Sequence, residues 1–308
     1  MTRVVVIGNA TVDVIQRVER FPLPGETLLC GAMVVCAGGK GLNQAIAAAR
    51  TGAPTLLRAP AAADASGELL ARAVAAEAGL DADWLRVGPP TDISTIWIDA
   101  AGENMIVSAA AAAAAMDPAH AAAACATLGA GDVLLLQGNL AQATTAAAIG
   151  QARARGARIV LNTAPMRPWM ASLLAGVDVV VANQVEAEAL AGRADDPESA
   201  LLQAGARAVV VSRGRAGATL ATAGGRSTAR APAVAAVDTA GAGDVLTGTL
   251  AGLLAQGGEI AAALELAVAA ASLSVLRPGT TPSFPTRAEI AALRRSGPAN
   301  IAEDNCRA

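Results

Sequence analysis

Apolar residues fall along the chain in short, largely β-branched runs that alternate with longer alanine-rich stretches. The runs Arg3–Gly8, Thr55–Ala59, Val133–Gln137, Arg158–Asn162, Val177–Val181 and Ala208–Ser212 are nearly continuous, the pattern of strands buried on both faces. Between them, Gly41–Thr51, Gly67–Ala78, Gln142–Arg155 and Val185–Leu190 read as helices. The alternation predicts an α/β fold: a doubly wound, mostly parallel sheet with helices on both faces and right-handed crossovers. In the last third, Gly241–Gln256, Glu259–Leu276 and Arg287–Arg295 predict three successive helices.

Two segments break the pattern. Thr11–Arg20 and Thr27–Cys36 flank the turn Pro22-Leu23-Pro24-Gly25, and Ser94–Asp99 and Glu103–Val107 flank Ala100-Ala101-Gly102, a hairpin. These four strands are expected to form a small separate β lid, the alternative being an extension of the main sheet's edge. One α/β unit over 1–308 is expected, with lid strands inserted from about 11–36 and 92–108. The tail Ser296–Ala308 is polar and expected to fray.

Composition narrows the function. Of 308 residues, 54% are hydrophobic and 16% charged, so a disordered chain is excluded. A net charge of −3, only 2% aromatic residues and no Tyr leave neither an electrostatic footprint nor stacking platforms for nucleic acid. No stretch offers the ~20 uninterrupted apolar residues of a spanning helix, and Met1-Thr2-Arg3 leads straight into a strand pattern rather than a signal peptide. No membrane partner and a cytoplasmic location are expected. The cysteines Cys30, Cys36, Cys125 and Cys306 are scattered, and the single histidine, His120, excludes a multi-histidine metal site.

Four polar segments carry candidate chemistry. Gly38-Gly39-Lys40-Gly41-Leu42-Asn43 lets a ligand approach backbone amides, with Lys40 as a point charge, though the Walker pattern is absent. Asp238-Thr239-Ala240-Gly241-Ala242-Gly243-Asp244 opens a helix, where free amides and the helix dipole attract an anion. Asp244 there is either a helix-stabilising carboxylate or a base for an attacking hydroxyl. The same letters, Gly129-Ala130-Gly131-Asp132-Val133, run into a strand and are expected to be structural. Asn183-Gln184-Val185-Glu186 follows a strand end, as an N-cap with a solvated glutamate or as groups addressing phosphate and Mg²⁺ waters. Ser212-Arg213-Gly214-Arg215-Ala216-Gly217 follows another, as a nucleotide contact or a turn. A dinucleotide oxidoreductase is disfavoured, because Gly8-Asn9-Ala10-Thr11-Val12-Asp13 lacks Gly-x-Gly-x-x-Gly.

In this order, and across nearly the whole chain, these segments resemble the ribokinase-like (PfkB) carbohydrate kinases. The ribokinase branch is nearest, through Gly-Gly-Lys-Gly-x-Asn-Gln-Ala and Leu161-Asn162-Thr163-Ala164-Pro165. The resemblance implies ATP-dependent phosphorylation of a primary hydroxyl of a sugar, ribose-like most of all, or of a nucleoside or keto sugar acid. It also implies Mg²⁺, K⁺ and a homodimer formed through the lid. By position, Asp244 matches the base and Gly241, Ala242 and Gly243 the anion hole. Asn9, Asp13, Gly38, Gly39, Lys40 and Asn43 match the sugar site, where Asn139 replaces a glutamate. Asn183, Ser212, Gly214 and Gly217 match nucleotide contacts, and Glu186 a water-mediated Mg²⁺ contact. Asp238, Ala240, Ser274, Arg277, Gly279 and Ser283 match a monovalent-cation loop. Besides Asn139, two segments depart from the pattern: Ala109–Ala115 stands for a Gly-Ala-Asn stretch, and Thr163 for a proline. A non-catalytic sugar-binding protein on the same fold is the reading from another class.

Overall fold

The computed structural model describes residues 2–297. Its strands are β1 Val4–Ile7, β2 Thr11–Arg17, β3 Ala32–Gly38, β4 Thr55–Ala61, β5 Leu80–Arg86, β6 Ile93–Ile98, β7 Asn104–Ser108, β8 Val133–Leu136, β9 Arg158–Asn162, β10 Val179–Asn183, β11 Ala208–Ser212, β12 Ala218–Thr222 and β13 Gly225–Ala229. Its α-helices are α1 Lys40–Arg50, α2 Ala65–Ala75, α3 Ala111–Ala114, α4 Pro118–Cys125, α5 Gln142–Ala154, α6 Gln184–Ala191, α7 Pro197–Gln203, α8 Ala242–Ala255, α9 Ile260–Ser274 and α10 Arg287–Ser296.

Nine strands form one sheet in the order β13-β12-β11-β10-β9-β8-β1-β4-β5. All neighbours from β11 to β5 are parallel, and only β12 and β13 enter by antiparallel pairing. The continuous apolar strands are buried because helices cover both faces. Val4 and Val6 of β1 point into a core with α1, α8 and α9, while Val5 and Ile7 point into another with α4 and α5. β2, β3, β6 and β7 make a separate four-stranded sheet, ordered β3-β2-β6-β7. The expected hairpin joins β6 to β7, with Gly102 at φ 83° and Asp99 Oδ1 accepting from the amides of Ala101 and Glu103.

Several boundaries differ from the sequence reading. β5, β12 and β13 were not anticipated: Leu80–Arg86 and Gly225–Ala229 carry charged and small residues, and tertiary pairing at the sheet edges decides them. The strand expected from Val177 starts at Val179, and the one expected over Thr27–Cys36 runs from Ala32 to Gly38, so the lid strand extends beyond residue 36. The alanine tract folds as the short helix α3, whose first amides, at Ala112 and Ala113, donate to buried Asp92. The expectation for the tail beyond residue 297 lies outside the described residues.

The closest helix contact is between α1 and α8. Alanine gives both helices narrow faces, and Gly248 and Gly252 of α8 let the backbones meet. A Cβ on Gly248 would lie 2.3 Å from the Gln44 carbonyl oxygen, and one on Gly252 would lie 2.8 Å from that of Ala48. At the far end, Gln256 Nε2 donates to Thr51 Oγ1 at 3.0 Å. Helix propensity alone would make Gly248→Ala stabilising by about 1 kcal/mol. Contact with the fixed backbone of α1 reverses the sign, and we expect a net loss of about 1–3 kcal/mol. Urea denaturation reads the difference, and a gain in midpoint would contradict this packing.

Candidate active site

The strand order reverses at β1, which lies between β4 and β8. Chain connections run outward from it on both sides, so the loops leaving its end and that of β8 diverge and open a crevice. Polar side chains gather there: Asn9 follows β1, Gln137 and Asn139 follow β8, and Asn162 ends β9.

The start of α1 is pressed against the loop after β1. Gly39 holds φ 91° at the helix N-cap, and a Cβ there would sit 2.8 Å from the Thr11 amide nitrogen. Gly41 donates from its amide to Asn9 Oδ1 at 3.3 Å, with Leu42 donating to the Asn9 carbonyl at 3.1 Å. Positive φ at Gly39 and the absence of side chains make this approach possible. It delivers Lys40, Asn43 and Gln44 to the first turn of α8.

Asp244 sits in that turn, buried to 5% exposure. Its Oδ2 accepts from Asn43 Nδ2 at 3.0 Å and its Oδ1 from Gln44 Nε2 at 2.9 Å. Lys40 Nζ, partly exposed, lies 3.8 Å from Oδ1. Gly241 at φ 77° turns the chain into the helix, leaving the amides of Gly241 and Gly243 without acceptors among the described residues; that of Ala242 donates to Thr239 at 3.3 Å. A carboxylate beside free helix amides can take a proton while the amides hold an anion.

Asp13, on β2, is also buried, at 6% exposure. Burial pushes its pKa up; hydrogen bonds from Thr11 and Ser94 pull it down, and the charge of Asp244 pushes it up again. The carboxylate lies against Gly38, where a Cβ would sit 2.0 Å from Asp13 Oδ2. The lid therefore contributes a carboxylate to the same region as Lys40 and Asn43, through β2 and β3.

On the other side of the glycine turn lies a cleft of about 750 Å³. Ser212, Gly214 and Gly217 line it with Ala242 and Gly243, so the loop after β11 and the glycine turn share one cavity. Its walls include Val234, Leu246, Val268 and Val275, an apolar slot that no motif marked because such positions read as core. Asn183 and Glu186 form a reciprocal capping box on α6, with Glu186 Oε2 also accepting from Thr163 Oγ1 at 2.8 Å. The capping reading therefore describes Asn183 as it stands.

Asp238 joins the two halves of the expected cation loop, accepting from the amides of Ala240 and Gly279, each at 2.9 Å. Ser274 and Ser283 donate to the carbonyls of Ala271 and Thr280, and Arg277 pairs with Glu289 at 2.9 Å. Arg277 is thus turned toward α10. Asp132 of the repeated glycine motif only clamps a turn, accepting from the amides of Arg3 and Gly129. Sequence reasoning missed Gln137 and Asn162 as site residues and gave Gln44 no role. Gln44 stood beside Asn43 in the glycine segment, but the other two became visible only once the strand ends converged. Asn139 Oδ1 is buried without a hydrogen-bond partner among the described residues.

Comparison with known proteins gives the family and the fold. The model of the pfkB family carbohydrate kinases matches residues 1–287. The chain is 31% identical over 293 residues to the ribokinase of Haemophilus influenzae, covering 92% of this chain and 95% of that one. Among solved structures it is similar to the ribokinase of Thermotoga maritima, with a TM-score of 0.89 and 28% identity over 96% of this chain and 100% of the other. It is also similar to the Arabidopsis thaliana ribokinase complexed with ribose and ATP, with a TM-score of 0.84 and 26% identity over 95% and 99%.

The environment of Asp13 has a measurable consequence. Because its folded pKa is raised, the folded chain binds that proton more tightly than the unfolded one. The associated stability is present at low pH and lost as pH rises from the ordinary carboxylate value through the raised one. Asp13→Asn retains an acceptor for Thr11 and removes the buried charge. Its thermal midpoint at pH 7 is expected to rise by on the order of 2 °C, a gain that shrinks as pH falls through the raised value toward the ordinary carboxylate value of about 4, while KM for the sugar rises. Calorimetry across pH checks the sign.

Proposed function

We propose that this chain, which belongs to the pfkB family of carbohydrate kinases and is an ATP-dependent sugar kinase of the ribokinase type, moves the γ-phosphoryl group of ATP to a primary hydroxyl of a ribose-like acceptor, with Asp244 as general base. The observation that carries the assignment is the position of Asp244. It is buried, held by Asn43 and Gln44, and placed in the turn that separates the acceptor crevice from the 750 Å³ cleft. ATP occupies that cleft, its base in the apolar slot and its phosphates toward Gly241–Gly243. The acceptor sits among Asn9, Asp13, Gly38, Gly39, Lys40, Asn43 and Asn139. Asp244 takes the hydroxyl proton as that oxygen bonds to the γ-phosphorus, the bond to the bridging oxygen breaks, and ADP leaves. Helix amides and Lys40 then face the charge that spreads over the transferring group.

Metal ions complete this reading. Among the described residues there is no group of three or more His, Cys, Asp or Glu able to hold a metal. Mg²⁺ would be held by the nucleotide phosphates and waters, with Glu186 accepting a hydrogen bond from one of those waters. The ion would neutralise phosphate charge there. Asp238 fixes two loops side by side, at Ala240 and Gly279, and their carbonyl oxygens, with those around Ser274, Arg277 and Ser283, suit K⁺.

The lid supports a homodimer. Met33, Val34 and Val35 on β3 and Met105, Ile106 and Val107 on β7 are exposed apolar side chains on the two edge strands of a small sheet. A cytoplasmic location is part of the same proposal; among the described residues no helix is long and apolar enough to cross a membrane.

Asn139 favours a second acceptor class. An amide offers no charge to a sugar hydroxyl, whereas its NH₂ group can donate to a keto or carboxylate oxygen. A coupled assay of ADP release with ribose, 2-deoxyribose, a nucleoside and a keto sugar acid ranks the candidates. Turnover with none of them would overturn the kinase assignment. With the best acceptor, Asp244→Asn is expected to lower kcat by ~10²–10⁴-fold with ATP binding nearly unchanged; a variant keeping most of its turnover would remove the base. The wild type is expected to run faster in K⁺ than in Na⁺ or a bulky organic cation, and equal rates in all three would remove the cation loop.

A further inference from the structure

Asp244 is held by a chain of buried amides that extends well beyond its own contacts. Gln44 is fully buried and Gln137 nearly so, at 1% exposure. Gln44 Nε2 donates to Asp244 Oδ1 at 2.9 Å and to Asn162 Oδ1 at 3.1 Å, which uses both of its hydrogens. Its Oε1 accepts from Gln137 Nε2 at 2.9 Å. Asn162 in turn donates from Nδ2 to the carbonyl of Val181, on the neighbouring strand, at 3.0 Å.

The direction of every amide in this chain is fixed. Turning Gln44 over would set its oxygen against two acceptors, Asp244 and Asn162, and its NH₂ against the NH₂ of Gln137. None of those contacts is a hydrogen bond, and buried polar groups left unpaired cost about 1–3 kcal/mol each. Gln137 is oriented by its own donation to Gln44 Oε1, which leaves its oxygen buried over Gly8 without a partner among the described residues; a Cβ on Gly8 would stand 2.0 Å from that oxygen. No side chain other than glycine leaves room for it there. The amide relay therefore ties Asp244, on α8, to the ends of the central strands β8 and β9 through a side chain on α1.

We propose that Gln44 is a positioning residue, and that the relay Gln137–Gln44–Asn162 sets the rotation of the Asp244 carboxylate toward the acceptor hydroxyl. The inference rests on Asp244 being the base of the kinase reaction. Asn43 and Lys40 also touch this carboxylate, but Asn43 keeps an unpartnered Oδ1 and Lys40 is partly exposed, so both have contacts left to offer a sugar. Gln44 is enclosed and has no such freedom. With one oxygen pinned by a fixed donor, the carboxylate keeps its angle as ligands come and go, and a misplacement of about 1 Å at a reacting group can cost 100-fold in rate.

The test uses the full chain, the best acceptor of the panel, and two variants. Gln44→Met removes the relay with little change in volume. Gln137→Met breaks it at a residue that does not touch Asp244. We expect Gln44→Met to lower kcat by about 10- to 100-fold with KM for ATP unchanged, and Gln137→Met to lower it by a smaller factor in the same manner. Placed on Asp244→Asn, Gln44→Met is expected to cost no further turnover, because residues that act as a unit are not additive. A purely structural role would multiply the two losses, and that result would overturn the proposal. So would unchanged kcat in Gln44→Met. Wild type inactive with every acceptor would remove the kinase reading and the relay's role with it, whereas an active wild type with unchanged kcat in both variants removes the relay alone. If Gln44→Met fails to fold, Gln137→Met in the two backgrounds decides by the same comparison.

Discussion

The contact between α1 and α8 is the constraint on which the site depends. Nine of the residues of α1, Gly41 to Ala49, and twelve of those of α8, Asp244 to Ala255, are buried. Glycines and alanines bring the two backbones together along their length, and Gln256 with Thr51 closes the far end. At the near end the result is chemical: the lysine and amides of one glycine-rich turn meet the carboxylate of the other. A wider helix separation, which larger side chains would impose, would leave Asp244 as an ordinary carboxylate on a helix N-terminus.

A second constraint is electrostatic. Burial disfavours the charge on Asp13, and the nearby charge of Asp244 adds a smaller push in the same direction. Lys40 and the N-terminus of α8 lie nearby as opposite charge. A local conflict of this kind is expected at functional sites. Asn139, with its unpartnered oxygen, leaves the crevice one charge less negative than a glutamate would.

The lid links shape to chemistry. Its strands leave the main sheet directly after β1 and return as the start of α1, so β2 supplies Asp13 and β3 ends in Gly38. Register pairs Asp13 with Cys36 on one side and with Ser94 on the other. A side chain at Gly38 would displace the carboxylate, so the glycine pair serves the lid as well as the helix turn. One stretch of chain therefore carries both lid strands and the carboxylate that they bring to the crevice.

Much of this was legible in the sequence. The fold class followed from continuous apolar strands and alanine-rich helices, because burial on two faces demands that pattern. The lid followed from two segments that broke it. Asp244 and the glycine turns stood out because free amides, small residues and a carboxylate at a helix start are local properties. The separation of Gly129–Val133 from Gly241–Val245 was local too, resting on whether a strand or a helix follows. What the sequence could not supply is the meeting of residues far apart along the chain. Gln44, Gln137 and Asn162 are unremarkable amides until β1, β8 and β9 lie side by side and α1 crosses them. The apolar walls of the cleft are indistinguishable from core by composition, since both are hydrophobic; only the gap between the loop after β11 and α8 makes them a surface. The edge strands β5 and β13, and β12 beside β13, escaped notice for a related reason: their partners, not their own residues, hold them in the sheet. Local chemistry is written in the chain, whereas orientation and enclosure exist only once distant segments pack.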